Sequence, residues 1–187
     1  ATYQQAVMAV AHGAMSMTHV FNGMSPFHHR DPGLVGAAFR LRDVYGEVIC
    51  DGNHSNINSL NNYFMSKGRD YAIMISDSLM AKGCPVGSKF LFGGNEIEVY
   101  PDGSAHLTST KGLAGSTLRI NRGLEILVEK AGVPFDYAIN SCTLNPARAL
   151  GVDDRKGKIC TGYDADIVVL NNDYDVVQTY ARGVACK

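Results

Sequence analysis

Met17-Thr18-His19-Val20-Phe21-Asn22-Gly23-Met24, running on into Ser25-Pro26-Phe27-His28-His29-Arg30-Asp31-Pro32-Gly33, is the stretch from which the rest of this chain is read. An apolar run breaks into a loop there, and a histidine, an asparagine and an arginine sit on the break. Enzymes built on parallel strands keep their chemistry at such strand ends.

Working outward, the pattern alternates between strand and helix. Thr2 caps a helix through Ala6, Val7, Val10 and Ala11 that closes at Gly13. Ala14 to Val20 reads as a strand, Gly33 to Arg40 as a helix, Glu47 to Asp51 as a strand, and Ile57 to Ser66 as a helix ended by Gly68. Tyr71 to Ile75 is an unbroken apolar run, as in parallel strands covered on both faces. From Lys89 to Leu107 the character changes: Ile97 and Val99 alternate with polar residues and Pro101-Asp102-Gly103 forms a turn, so a β-hairpin is expected. Ser116 reads as the cap of a helix through Leu124 and Val128 that stops at Gly132. Pro134 opens another helix, Asn145 to Gly151 a short one, and Asp166–Leu170 and Val176–Tyr180 return to strands. A helix with no strand before it suggests that the sequence starts inside a larger α/β domain, and three strand-helix steps are too few for a closed barrel of about 250 residues.

Composition narrows the function. The chain has 187 residues, 45% hydrophobic and 19% charged, with a formal net charge of −1. Scattered Lys and Arg argue against a nucleic-acid partner, which needs clustered positive charge. The longest apolar runs fall far short of the roughly 18 residues of a bilayer span, and no signal-peptide layout opens the chain, so no membrane partner and a cytoplasmic location are expected. The five cysteines form no Cys-x-x-Cys pair and read as reduced thiols.

His19, His54 and Asp77 each fall at or just past the end of an expected strand, where residues far apart in sequence converge. Two histidines and an aspartate there suit a divalent-metal hydrolase, in which bound metal lowers the pKa of water from 15.7 to about 7. Each also has a bland reading: His19 as a loop histidine satisfied by hydrogen bonds, Asp77 as a helix N-cap, Arg30 as a solvated surface residue. His12 and His106 read as structural, His106 facing outward from its strand, and the His28-His29 pair carries no assigned chemistry.

Taken with Asp51-Gly52-Asn53-His54, Ser76-Asp77-Ser78 and Leu113-Ala114-Gly115-Ser116, the opening stretch resembles the C-terminal part of the N-acetylglucosamine-6-phosphate deacetylases, metal-dependent amidohydrolases. The resemblance implies a (β/α)8 TIM-like barrel with a small β-sandwich. Residues 1–150 would then be a partial barrel holding strands six to eight with a hairpin insertion at about 88–108, and residues 151–187 the C-terminal strands of the sandwich. By the same resemblance His19 is a metal ligand, with zinc first and iron or another divalent ion next. Asn22 and Gly23 contact the sugar, and Arg30 meets the 6-phosphate, reaching across to a neighbouring subunit of a homodimer. Asp51, Gly52, Asn53 and His54 bind substrate, Asp77 is the catalytic acid/base, and Leu113, Ala114 and Gly115 form a backbone lid over the sugar.

There are departures. Gly23 replaces a commoner alanine, and Ser76 and Ser78 flank Asp77 in place of threonine and alanine. The family's acidic metal ligand, a histidine expected just upstream of Ala1 and a carbonyl-polarising histidine are missing. The expectation is therefore a deacetylase whose 187-residue piece is incomplete as a catalyst and associates with an N-terminal part or a second copy. The alternatives are another amidohydrolase, acting on a cyclic amide or a base, or a folded module without activity.

Overall fold

The structure, a computed structural model, describes residues 1–186 and orders them as three sheets with helices around the first. Helix α1 (Tyr3–Ala11) begins at Thr2, whose hydroxyl accepts from the Gln5 amide while the Gln5 side chain accepts from the Thr2 amide, a reciprocal capping box. It packs against α2 (Gly33–Arg40). Strands β1 (Ser16–Met17), β2 (Tyr45–Ile49) and β3 (Ala72–Ile75) lie side by side in that order, all parallel, with Met17 opposite Gly46 and Ile49 opposite Ile75. Helix α3 (Ile57–Lys67), capped by the Asn56 side chain and ended by Gly68 in the left-handed region, joins β2 to β3.

Val20, Val48, Leu60, Tyr63, Phe64, Met74, Leu124 and Leu127 make the main core under this sheet. Gly46 is required there: a Cβ on it would lie 1.7 Å from the Tyr63 hydroxyl. At the opposite end of the sheet from the candidate site, the buried Lys67 ammonium donates to the Leu41 carbonyl at 2.8 Å and to the Val44 carbonyl, tying α3 to the turn before β2.

Residues 89–107 form a three-stranded meander rather than a hairpin. Strand β4 (Lys89–Phe92) pairs antiparallel with β5 (Asn95–Val99), which pairs antiparallel with β6 (Ala105–Leu107). Gly93-Gly94 supplies the first turn, and both glycines have positive φ. This sheet has its own small core of Ala81, Ile97, Val99 and Ala114.

Three expected boundaries move. The strand expected over Ala14–Val20 stops at Met17, because His19 and Phe21 take positive φ (33° and 80°) and an extended ladder cannot continue through them. Strand β2 starts two residues earlier than expected, leaving Asp51 outside it. Ser116 caps no helix. Its hydroxyl accepts from the Leu118 amide and its backbone bridges to Ser78, so the chain stays extended and α4 (Ile120–Glu125) begins four residues later. Helix α4 continues as a π turn through Ile126–Lys130, with the Ala131 amide bonding Ile126 O at 2.8 Å.

Helices α5 (Phe135–Cys142) and α6 (Leu144–Ala149) follow, α5 packing on β3. Strands β7 (Ile167–Leu170), β8 (Val176–Ala181) and β9 (Val184–Ala185) form the last antiparallel sheet, β9 being an addition to the two expected. The β7–β8 turn is fastened to α4: Asn121 donates to Tyr174 O and Arg122 to Asp173 O and the Asp175 carboxylate. No helix among the described residues is long and apolar enough to cross a membrane.

Candidate functional site

His19, Asp51 and Asp77 each stand two residues beyond the C-terminal end of β1, β2 and β3 respectively. Adjacent parallel strands are about 4.8 Å apart, so this common offset lines the three residues along one edge of the sheet. The Val20 amide donates to Glu47 O at 2.7 Å and keeps the His19 turn attached to β2.

His19 Nδ1 is buried and has no hydrogen-bond partner. An orphaned polar nitrogen is costly, and a partner from outside this chain would relieve it. Asn22 follows in the same turn: its amide nitrogen lies 3.4 Å from His19 O and from Val20 O, and its backbone N–H donates to His19 O at 2.9 Å.

Asp51 and His54 form the tightest pair of the site. Oδ1 of Asp51 accepts from the Asn53 and His54 amides at 2.9 Å each, and Oδ2 lies 2.6 Å from His54 Nδ1. Both side chains are largely shielded from solvent. Burial works to raise the Asp51 carboxyl, but the His54 ring, these two amides and the ring's charge outweigh it and hold the carboxyl below its ordinary value. A carboxylate on Nδ1 fixes the imidazole's tautomer and leaves Nε2 to face a ligand. Gly52, with φ +77°, makes the turn possible, and Asn53 is exposed beside a cleft of about 430 Å³ that reaches Cys84, Asp102 and Arg119.

Asp77 is exposed, has φ +47°, and no helix follows it, which removes its reading as an N-cap. Its carboxylate accepts no hydrogen bond among the described residues, while its backbone O accepts from the Ser116 amide at 2.9 Å and Ser116 O accepts from the Leu79 amide. That clamp brings the Gly115–Ser116 backbone beside the Asp77–Leu79 segment. Gly115 is obligatory, with φ +66° and only 2.7 Å between a built Cβ and Leu79 Cγ. Ser116, read from sequence as a cap, is instead the buried seat of this junction; the unbroken run of small residues Ala114-Gly115-Ser116-Thr117 was the available signal.

Arg30 is exposed on the β1–α2 loop next to the His28 and His29 rings, whose centroids are 4.4 Å apart with their planes tilted by 37°, and its own amide is bonded to His28 Nδ1 at 3.3 Å. The cysteines are all free. Burial first, then the neighbouring Asp51, pushes the Cys50 thiol well up, and burial raises Cys142 to about 11, so neither is a thiolate nucleophile at neutral pH.

Among the described residues no group of three or more His, Cys, Asp or Glu side chains gathers in a way that would hold a metal ion. The orphaned His19 nitrogen fits one ligand of a metal site, not a complete set, which takes about three protein ligands.

Comparison with known proteins follows the same lines. Residues 1–186 match the Amidohydrolase family, whose members are in general metal-dependent. The chain is 40% identical over 171 residues to N-acetylglucosamine-6-phosphate deacetylase of Bacillus subtilis, covering 91% of this chain and 42% of the relative. It is 34% identical over 183 residues to N-acetylgalactosamine-6-phosphate deacetylase of Escherichia coli O157:H7, covering 98% and 48%. The crystal structure of N-acetylglucosamine-6-phosphate deacetylase from Pasteurella multocida superposes on the whole chain with a TM-score of 0.93 at 30% identity, over 48% of its own length. The chain thus spans about half the length of these three proteins. With the whole described chain matched, it belongs to the amidohydrolase family.

Proposed function

We propose that this chain is part of a metal-dependent amide hydrolase that removes acetate from N-acetylglucosamine 6-phosphate to leave glucosamine 6-phosphate, a step of amino-sugar breakdown. The observation that carries the reading is the common two-residue offset of His19, Asp51 and Asp77 past three neighbouring parallel strands. The substrate comes from the names of the relatives. Residues 1–150 are read as strands six to eight of a (β/α)8 barrel with the meander as insertion, and residues 151–187 as part of a small β-sandwich.

The side chains divide the work. Asp77, with its free carboxylate, takes a proton from the attacking water and delivers it to the departing amine nitrogen, serving both half-reactions. His54, its Nδ1 held by Asp51, presents Nε2 to the substrate. Asn22, Gly23, Gly52 and Asn53 contact the sugar, and Leu113, Ala114 and Gly115 close over it with their backbone. Arg30, exposed on its loop, serves a 6-phosphate in the neighbouring subunit of a homodimer, its planar fork matching phosphate oxygens. His19 would be one ligand of a divalent ion, zinc first and iron or another divalent ion next; the chemistry such an ion supplies is acidification of water.

A second reading, the 4-epimer N-acetylgalactosamine 6-phosphate, is favoured by the Escherichia coli relative. Acetate release by the full-length protein from both phosphorylated sugars and from unphosphorylated N-acetylglucosamine tests these readings. Turnover of one phosphorylated sugar far above the unphosphorylated one is expected. Equal turnover with and without phosphate, or preference for a cyclic amide or a base, would overturn the proposal.

A further inference from the structure

Asp77 keeps a left-handed backbone, φ +47°, which a residue with a side chain adopts only at a cost. Such a conformation persists where its surroundings over-determine it, and strain of this kind gathers at functional sites. What holds it here comes from one facing segment, residues 116–118.

Two of the links are backbone. The Ser116 amide donates to Asp77 O and the Leu79 amide to Ser116 O, each at 2.9 Å, which makes Ser78 and Ser116 partners in a parallel bridge. A regular parallel ladder would continue with the Leu118 amide donating to Leu79 O. Two serine side chains take over instead. The Leu118 amide donates to Ser116 Oγ at 2.8 Å, and the Ser78 hydroxyl donates to Leu118 O at 2.9 Å. Both backbone polar groups of Leu118 are thus spent on hydroxyls, and the pairing ends at Leu79.

Burial gives these bonds their weight. Ser116 and Leu118 are 1% and 7% exposed, so a polar group left unpaired there cannot turn to water. Asp77 alone emerges from the junction, its carboxylate free of hydrogen bonds among the described residues. The link from Ser78 belongs to this chain in particular, because the alanine that the family resemblance expects at that position has no hydroxyl to donate.

We propose that Ser78 and Ser116 are positioning residues: their hydroxyls close a clasp on Leu118 that keeps Asp77 in its left-handed turn and so fixes where its carboxylate stands over the strand ends. The consequence for catalysis rests on the reading of Asp77 as the acid/base; the clasp itself does not.

Kinetics of the full-length protein with N-acetylglucosamine 6-phosphate test the consequence. Ser78→Ala should lower kcat roughly 3–10-fold, the population cost of one neutral hydrogen bond, with KM within about two-fold, and Ser78→Thr, which keeps the hydroxyl, should recover most of the loss. Ser116→Ala should act in the same direction, and the double variant should cost less than the product of the single ones, since both hydroxyls act on Leu118. In an Asp77→Asn background Ser78→Ala should cost nothing further. A lowered melting temperature with kcat unchanged, or the same loss of kcat in both backgrounds, would overturn the positioning role.

Amide exchange reads the clasp without activity. The Ser116 amide, donor to Asp77 O, should exchange faster in Ser78→Ala than in wild type, and unchanged protection would overturn the clasp. If that exchange quickens while Asp77→Asn by itself leaves kcat within a few-fold of wild type, the clasp stands and the acid/base reading of Asp77 falls.

Discussion

Asp51 and His54 face each other across 2.6 Å between Oδ2 and Nδ1, the carboxylate wrapped by its own loop and the imidazole left with one nitrogen to offer. The pair is local, only three residues apart, yet its Asp51 stands two residues beyond β2 just as His19 and Asp77 stand beyond β1 and β3. Replacing Asp51 by Asn swaps an acceptor oxygen for a donor and releases the ring's tautomer. Steady-state kinetics of D51N in the full-length protein should show kcat/KM lowered about 10–100-fold, the usual scale for a partner behind a functional histidine. Activity within a few-fold of wild type would mean that His54 needs no orientation.

The same pair sets an acid limit. A carboxyl held below its ordinary value when folded contributes stability that is complete above the unfolded pKa of about 3.9 and is lost as pH falls through the lower folded value. Wild type should therefore lose stability relative to D51N as pH falls below about 4. Parallel denaturation curves at several acid pH values check the sign.

Asp77→Asn should keep the fold, since amide and carboxylate have nearly the same shape and the carboxylate is unbonded. It should lower kcat by roughly 10²–10⁴-fold, as for a lost positioned acid/base. Metal analysis alongside kinetics distinguishes this from loss of an ion, which the proposed role leaves in place.

Gly115→Ala would force a Cβ against Leu79 at φ +66°, costing about 1–3 kcal/mol in strain and crowding. A lower melting temperature together with a raised KM is expected. A purely structural glycine would move the first and not the second.

Lys67 gives a test of the opposite pH sign. Burial pushes its ammonium down to about 8, so the folded state binds fewer protons than the unfolded chain at higher pH. Stability from this group should be lowest below about pH 8 and rise as pH climbs towards the ordinary lysine value of about 10.4. Lys67→Met should abolish that rise in denaturation curves while leaving the Leu41 and Val44 carbonyls short of a donor.

Apolar side chains remain uncovered on the last sheet, where Val168, Val177 and Val184 are 55%, 62% and 70% exposed, and β1 and β3 border the parallel sheet. Uncovered apolar surface and strand edges favour pairing with another chain. Light scattering after size exclusion on the 187-residue chain should reveal dimers or larger species; a monodisperse, cooperatively melting monomer would refute this.

Sequence by itself marked most of the element types of this chain and the residues proposed to carry its chemistry. Thr2 with Gln5, Asn56, Gly68 and the apolar run of Ala72–Ile75 act through neighbours in the chain, so their capping and burial are written in local spacing. His19, His54 and Asp77 were legible for the same reason, as polar residues where apolar runs end. Tertiary structure alone decided the rest. The strand after Ala14 stops early because His19 turns into positive φ; Ser116 becomes a seat because Ser78 lies beside it; the His106 ring, expected to face outward, bonds the Lys111 carbonyl because that turn folds back onto it. Each of these outcomes depends on atoms brought together from separate segments, and periodicity along one segment carries no information about what the fold will set against it.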